Sequence, residues 1–201
     1  MIAVIDYGMG NLRSVQKAFE KVGAHSVITQ DPEEIESAQK IVLPGVGASK
    51  PAMERLQELK LIPVIKAAIS EHKPFLGICL GLQLLFEKSF EGGEIKGLNI
   101  LPGIVDRFKQ LKVPHMGWNQ LQLTQKNCPL FKDIKNLSEV YFCHSFYVKP
   151  ALQKITAATT EYGGEFTSAI WQNQIFGVQF HPEKSQSVGL QILQNFNALS
   201  L

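Results

Sequence analysis

The sequence predicts an α/β fold: a mainly parallel, doubly wound central sheet with helices on both faces, followed by an antiparallel extension. Three observations predict it. From Ile2 to about Leu80, short and almost uninterrupted apolar runs alternate with segments of helical periodicity, as strands buried on both faces of a parallel sheet require. Glycine-rich turns close several of those runs, at the carboxyl ends of strands where open α/β sheets place their ligand sites. Beyond Ile104 the pattern changes to short alternating runs separated by turn residues, the mark of antiparallel strands.

Ile2 to Tyr7 is an apolar run closed by Asp6-Tyr7-Gly8-Met9-Gly10-Asn11, a first strand and its turn. Leu12, Val15, Phe19 and Val22 recur at spacings of three and four and predict a helix from Leu12 to Val22, ended by Gly23. Ser26–Thr29 is a second strand, Pro32–Ala38 a short helix and Lys40–Leu43 a third strand. Pro44-Gly45-Val46-Gly47-Ala48 then forms a glycine-rich loop, which lacks the third glycine of a dinucleotide fingerprint and the Gly-Lys-Ser/Thr of a phosphate loop. A helical pattern runs from Ser49 to His72 with a break expected near Pro63. Phe75–Ile78 is a fourth buried strand, Leu80–Glu87 a helix, and Glu91–Leu101 a polar, glycine-rich loop. Trp118–Leu123, Val140–Val148, Ile155–Thr160, Thr167–Gln172 and Gln174–Phe180 read as strands, with turns at Gly163-Gly164 and Asn173. The last segment, Ser187–Leu199, carries Val188, Ile192, Leu193, Phe196 and Leu199 on one helical face.

Composition narrows the class. The 201 residues, 45% hydrophobic and 19% charged, fit one globular domain over 1–201. A formal charge of +2 with scattered basic residues gives no reason to expect nucleic acid or an anionic membrane as partner. No long apolar stretch predicts a membrane span and no basic-flanked leader opens the chain, so a cytoplasmic protein is expected. Three cysteines do not make a disulfide framework. Without paired Cys-x-x-Cys or His-x3-His spacing, neither a metal nor any other cofactor is expected; Cys128 and Cys143 are read as packing residues.

The chemistry is concentrated in two segments. In Gly77-Ile78-Cys79-Leu80-Gly81 the cysteine stands at a strand-to-helix junction between glycines, the thiol form of a nucleophile elbow in which neighbouring Cβ atoms have no room. A helix N-terminus there favours thiolate over thiol. In Phe176-Gly177-Val178-Gln179-Phe180-His181-Pro182-Glu183, strand alternation turns Gln179, His181 and Glu183 to the face opposite Phe176, Val178 and Phe180. That supplies a base with an orienting acid, so Cys79, His181 and Glu183 are the expected triad for acyl transfer. The N–H of Leu80 and one from the Gly45-Val46-Gly47 loop are the expected oxyanion donors.

These two segments resemble the signatures of the class I, triad-type glutamine amidotransferases, and the likeness spans the chain. Further likeness, to members that deliver ammonia to a separate enzyme, lies in Asp6-Tyr7-Gly8-Met9-Gly10-Asn11, Leu43-Pro44-Gly45-Val46-Gly47, Pro114-His115-Met116-Gly117-Trp118-Asn119 and Tyr141-Phe142-Cys143-His144-Ser145-Phe146. The resemblance implies a flavodoxin-like architecture and L-glutamine as substrate. It implies that Cys79 forms a γ-glutamyl thioester, that Gly47, Gln83, Glu91 and Ser145 hold glutamine, and that Val46, Gly47 and Leu80 line the oxyanion hole. It implies a heterodimeric partner, a (β/α)8-barrel cyclase subunit, contacted by Asn11, Trp118, Tyr141 and Lys184. Members often carry proline where Met9 stands and tyrosine where Phe146 stands; neither departure touches the triad. Two other readings compete: a different triad amidotransferase or γ-glutamyl hydrolase on the same elbow, and a catalytically silent subunit that docks on a barrel protein.

Overall fold

The computed structural model describes residues 1–109 and 111–200. In chain order its elements are β1 (Ile2–Ile5), α1 (Leu12–Lys21), β2 (Ser26–Thr29), α2 (Pro32–Ser37), β3 (Lys40–Leu43), α3 (Ser49–Glu58), α4 (Leu61–Ser70), β4 (Phe75–Ile78) and α5 (Leu80–Leu84). There follow β5 (Phe86–Ser89), β6 (Ile95–Lys96), β7 (Leu101–Arg107), β8 (His115–Leu123), β9 (Ser138–His144), β10 (Phe146–Pro150), β11 (Thr156–Glu161), β12 (Glu165–Gln172), β13 (Ile175–Val178) and α6 (Gln186–Asn197).

The sheet runs in the order β2-β1-β3-β4-β13-β12-β10-β7-β5-β6, with β11, β8 and β9 branching from β12. From β2 to β13 all neighbours are parallel. Beyond β13, the pairings are antiparallel except that of β5 with β7. The parallel half is doubly wound because both of its faces are covered. Ile2 and Val4 of β1 join Phe19 of α1 and Phe196 of α6 in one apolar cluster, whereas Ala3 and Ile5 join Ile35, Leu56 and Ile65 in the other. A period of two therefore feeds two cores from one strand.

Three expectations are corrected. The helical stretch after Ser49 breaks at Lys60, which is left-handed at φ 57°, and Pro63 falls in the first turn of α4, where a missing N–H leaves no intrahelical bond unmade. The helix after Cys79 ends at Leu84, and Phe86–Ser89 is a strand beside β7. Phe86 and Ser89 point inward there, and burial of Phe86 outweighs the helix propensity of Glu87 and Lys88. Finally, Leu101–Arg107 is a strand, and the run expected from Val140 to Val148 is divided at Ser145 into β9 and β10.

Candidate active site

The elbow is built by two glycines and one strained cysteine. A Cβ on Gly77 would lie 2.7 Å from the Gly81 carbonyl oxygen, and one on Gly81 would lie 1.7 Å from that of Leu43, so neither position admits a side chain. Cys79 between them sits at φ 53°, ψ −107°, a conformation costing a non-glycine residue about 1–3 kcal/mol. Hydrogen bonds hold it from both sides: its N–H donates to the Val178 carbonyl at 2.8 Å and its carbonyl accepts from the Gln83 N–H at 3.2 Å. With only five residues in α5, the helix dipole contributes less at the sulfur than a longer helix would.

β13 pairs with β4 in parallel register, Gly177 beside Gly77 and Val178 beside Ile78, which brings the His181 segment to Cys79. Phe176, Val178 and Phe180 enter one core cluster as alternation requires. The rest of that expectation is corrected: β13 ends at Val178, and Pro182–Lys184 is a 3-10 turn. Glu183 thus meets His181 through a turn begun by proline with its pre-set φ, not through strand alternation. Gln179, expected to face outward with His181, is fully buried.

His181 Nδ1 lies 2.9 Å from Glu183 Oε1, with the two side chains only 4% and 1% exposed. Nδ1–H donates to the carboxylate, and Nε2 is left for the sulfur. Burial acts against charge on His181, but hydrogen bonding to Cys79 and then to Glu183, with the charges of both, outweighs it and pushes the imidazole up to about 10. Beneath the elbow, burial first and the nearby Cys79 charge second push the Tyr7 phenol well above its ordinary range.

Cys79 and His181 open on a cavity of about 280 Å³, whose wall also includes Val46, Gly47, Leu80, Gln83, Glu91 and Ser145. Every residue expected to hold substrate or oxyanion is thus brought to one place. Three of them have their polar groups engaged internally: Gln83 Nε2 donates to the Phe146 carbonyl and to Gln179 Oε1, both at 3.0 Å. Glu91 Oε2 accepts from the Ser49 N–H at 2.7 Å at the start of α3, and the Leu80 N–H donates to the Gly45 carbonyl at 3.3 Å. Of the four expected partner-facing residues, Trp118, Tyr141 and Lys184 form one cluster. The Trp118 and Tyr141 rings, paired across β8 and β9, are 6.1 Å apart, and Lys184 Nζ sits 5.7 Å over Tyr141. Asn11 is exposed in the turn after β1.

Some supporting residues carry no motif of their own. The Ser185 hydroxyl donates to the His181 carbonyl at 2.7 Å and accepts from the Tyr141 N–H at 2.9 Å, tying the histidine turn to β9. Burial holds His115 down to about 4 and His144 to about 3, so both are neutral near pH 7. Cys128 packs in the core and its thiol is pushed up to about 11, burial outweighing two backbone hydrogen bonds. Among the described residues no three His, Cys, Asp or Glu side chains are grouped to hold a metal ion, and no helix is long and apolar enough to cross a membrane.

A strained thiol and an imidazole at one cavity, with a buried carboxylate behind the ring, define a cysteine amidohydrolase or acyltransferase. Residues 3–198 match the class-I glutamine amidotransferase family, and the chain belongs to that family. Two relatives named imidazole glycerol phosphate synthase subunit HisH narrow the likeness. That of Geobacter metallireducens is 52% identical, with 97% of this chain and 96% of the relative covered; that of Moorella thermoacetica is 50% identical, with 98% and 94% covered. Among solved structures, one titled as a glutamine amidotransferase superposes with a TM-score of 0.77 at 15% identity, covering 99% of this chain and all of that one. A glutamine amidotransferase from Thermotoga maritima gives 0.66 at 19%, covering 90% and 75%. At those identities the likeness is one of fold.

Proposed function

We propose that this chain is the glutaminase subunit of imidazole glycerol phosphate synthase, acting as one glutamine amidotransferase domain over residues 1–201 in the cytoplasm. The observation that carries the activity is the meeting of Cys79 and His181 at a single cavity, with Glu183 buried behind the imidazole. Gly47, Gln83, Glu91 and Ser145 hold L-glutamine. The sulfur attacks the carboxamide carbon; a C–S bond forms and the carbonyl π pair moves onto oxygen, which the N–H groups of Leu80 and the Val46-Gly47 segment receive. His181 gives its proton to the amide nitrogen, and ammonia leaves with the electrons of the C–N bond. Water then attacks the γ-glutamyl thioester while His181 takes its proton, releasing glutamate and restoring the thiolate.

Ammonia passes to a separate (β/α)8-barrel cyclase subunit docked over Asn11, Trp118, Tyr141 and Lys184. There it enters the reaction that forms imidazole glycerol phosphate and aminoimidazole carboxamide ribotide in histidine biosynthesis. The Leu80 N–H is spent on Gly45 in this structure, and one oxyanion donor is worth about 2.7–4 kcal/mol of barrier. Glutamate release is therefore expected to be slow in the isolated chain and to rise when the cyclase is added. A glutamine-analogue electrophile followed by peptide mapping tests the nucleophile directly: label on Cys79 is expected, and label elsewhere refutes the assignment.

A further inference from the structure

The Phe146 carbonyl sets the polarity of a hydrogen-bonded chain that extends beyond the groups the reaction above uses. A carbonyl only accepts, and this one receives His144 Nδ1–H at 2.8 Å and Gln83 Nε2–H at 3.0 Å. On one side, His144 with its proton on Nδ1 must accept at Nε2. His115 Nδ1 donates to it at 3.0 Å, and His115 Nε2 accepts from Asn119 Nδ2 at 3.2 Å. The Asn119 amide is oriented independently: Nδ2 donates to the Glu161 carbonyl at 2.9 Å, and Oδ1 accepts from the Gln120 N–H at 2.8 Å. On the other side, the second proton of Gln83 Nε2 goes to Gln179 Oε1 at 3.0 Å. With its oxygen so engaged, Gln179 can turn only Nε2 toward Cys79, whose sulfur is 3.6 Å away.

We propose that Gln179 is a further catalytic residue: its Nε2–H, held in one orientation by Gln83, donates to the Cys79 sulfur and stabilises the thiolate. Gln179 is completely buried, so solvent does not reach the sulfur from that side, and a donor to an anion is stronger than one to a neutral group. The ionisable groups facing the sulfur are His181, backed by Glu183, from the turn after β13, Cys143 and His144 from β9, Tyr7 from the turn after β1, and Glu91 and Lys184 on the cavity wall, and the Cys143 carbonyl lies 4.0 Å from the sulfur. Substitution at 179 leaves all of them in place.

The consequence for turnover rests on the glutaminase reading, whereas the effect on sulfur reactivity does not. The test is the pH dependence of iodoacetamide alkylation at Cys79, followed by peptide mapping in the full chain, for the parent and for Gln179→Leu. Loss of one hydrogen bond to a charged group predicts an alkylation midpoint higher by about one pH unit, or about a tenfold loss of rate at a fixed pH below it. Gln179→Met, unbranched and of equal length, takes its place if the leucine variant fails to match the parent in thermal unfolding. An unchanged alkylation profile in a variant that melts like the parent overturns the proposal. A parent that alkylates as expected but releases no glutamate, with or without the cyclase, refutes the glutaminase reading and leaves the role of Gln179 standing.

Discussion

Replacing Glu183 with glutamine removes one charge while keeping the volume of the side chain. In the structure its Oε1 accepts the His181 Nδ1–H at 2.9 Å, and Oε2 is buried without a protein partner. An amide there either keeps an oxygen on Nδ1 without the charge that holds the imidazolium, or sets its NH2 against the ring N–H. A hydrogen bond to a charged group contributes about 1.5–3 kcal/mol, which corresponds to a fall in kcat of about 10- to 150-fold. Glu183 stands behind His181 and is not on the cavity wall, so glutamine binding is barely touched and KM changes less than about threefold. The assay is steady-state glutamate release by Glu183→Gln in the presence of the cyclase, with the urea midpoint measured in parallel. A kcat within twofold of the parent in a variant of equal stability refutes the orienting role, and a loss confined to KM places Glu183 in substrate binding instead.

Gly81→Ala sets a methyl group 1.7 Å from the Leu43 carbonyl oxygen; a loss of about 3 kcal/mol or more is expected in urea unfolding, and parent-like stability refutes the account of the elbow. His115 and His144 have folded values, about 4 and about 3, below the ordinary 6.5, so the stability they contribute is present above pH 6.5 and lost as pH falls toward those values. His181, raised to about 10, contributes below pH 6.5 and loses that contribution as pH rises through 10. His144→Asn should therefore flatten the acid limb of a urea-midpoint profile while leaving the alkaline limb, and an unaltered acid limb counts against it. Trp118, 46% exposed against Tyr141, is the aromatic anchor of the proposed docking patch. Trp118→Ala is expected to weaken cyclase binding about 30-fold, as loss of a hot-spot contact of about 2 kcal/mol would, and a titration showing unchanged affinity removes the patch from the interface.

What was legible in the sequence follows from how each element is stabilised. β3 and β4 match their expected bounds because strands covered on both faces must be apolar almost throughout. The elbow was readable for a similar reason: Gly77 and Gly81 answer to backbone atoms a few residues or one strand away, and such contact leaves glycine in the text. β7 was hidden by Pro102 and Gly103, which look like a turn. A Cβ on Gly103 would lie 2.4 Å from the Lys149 carbonyl oxygen, so this glycine permits the close pairing of β7 with β10. The extent of α5 is not legible in its own segment because Glu87 and Lys88 favour helix locally, while the partner that makes Phe86–Ser89 a strand lies beyond the loop.

The same distinction explains why the grouping of Cys79, His181 and Glu183 is readable and the chain leading to Gln179 is not. Cys79 and His181 are flanked by glycine and proline, residues that report the backbone geometry holding a functional group. Gln179 lies one residue past β13 in an alternating run that assigns it to an exposed face. Its orientation is set by Gln83, and that of Gln83 by a main-chain carbonyl at Phe146. An acceptor belonging to the backbone leaves no residue type behind it, so a polar network anchored on one is written in the fold and not in the composition of any segment. Substituting Phe146 would accordingly disturb the ring on the cavity wall and leave the polarity of the network intact, whereas shifting the register of β10 would undo it.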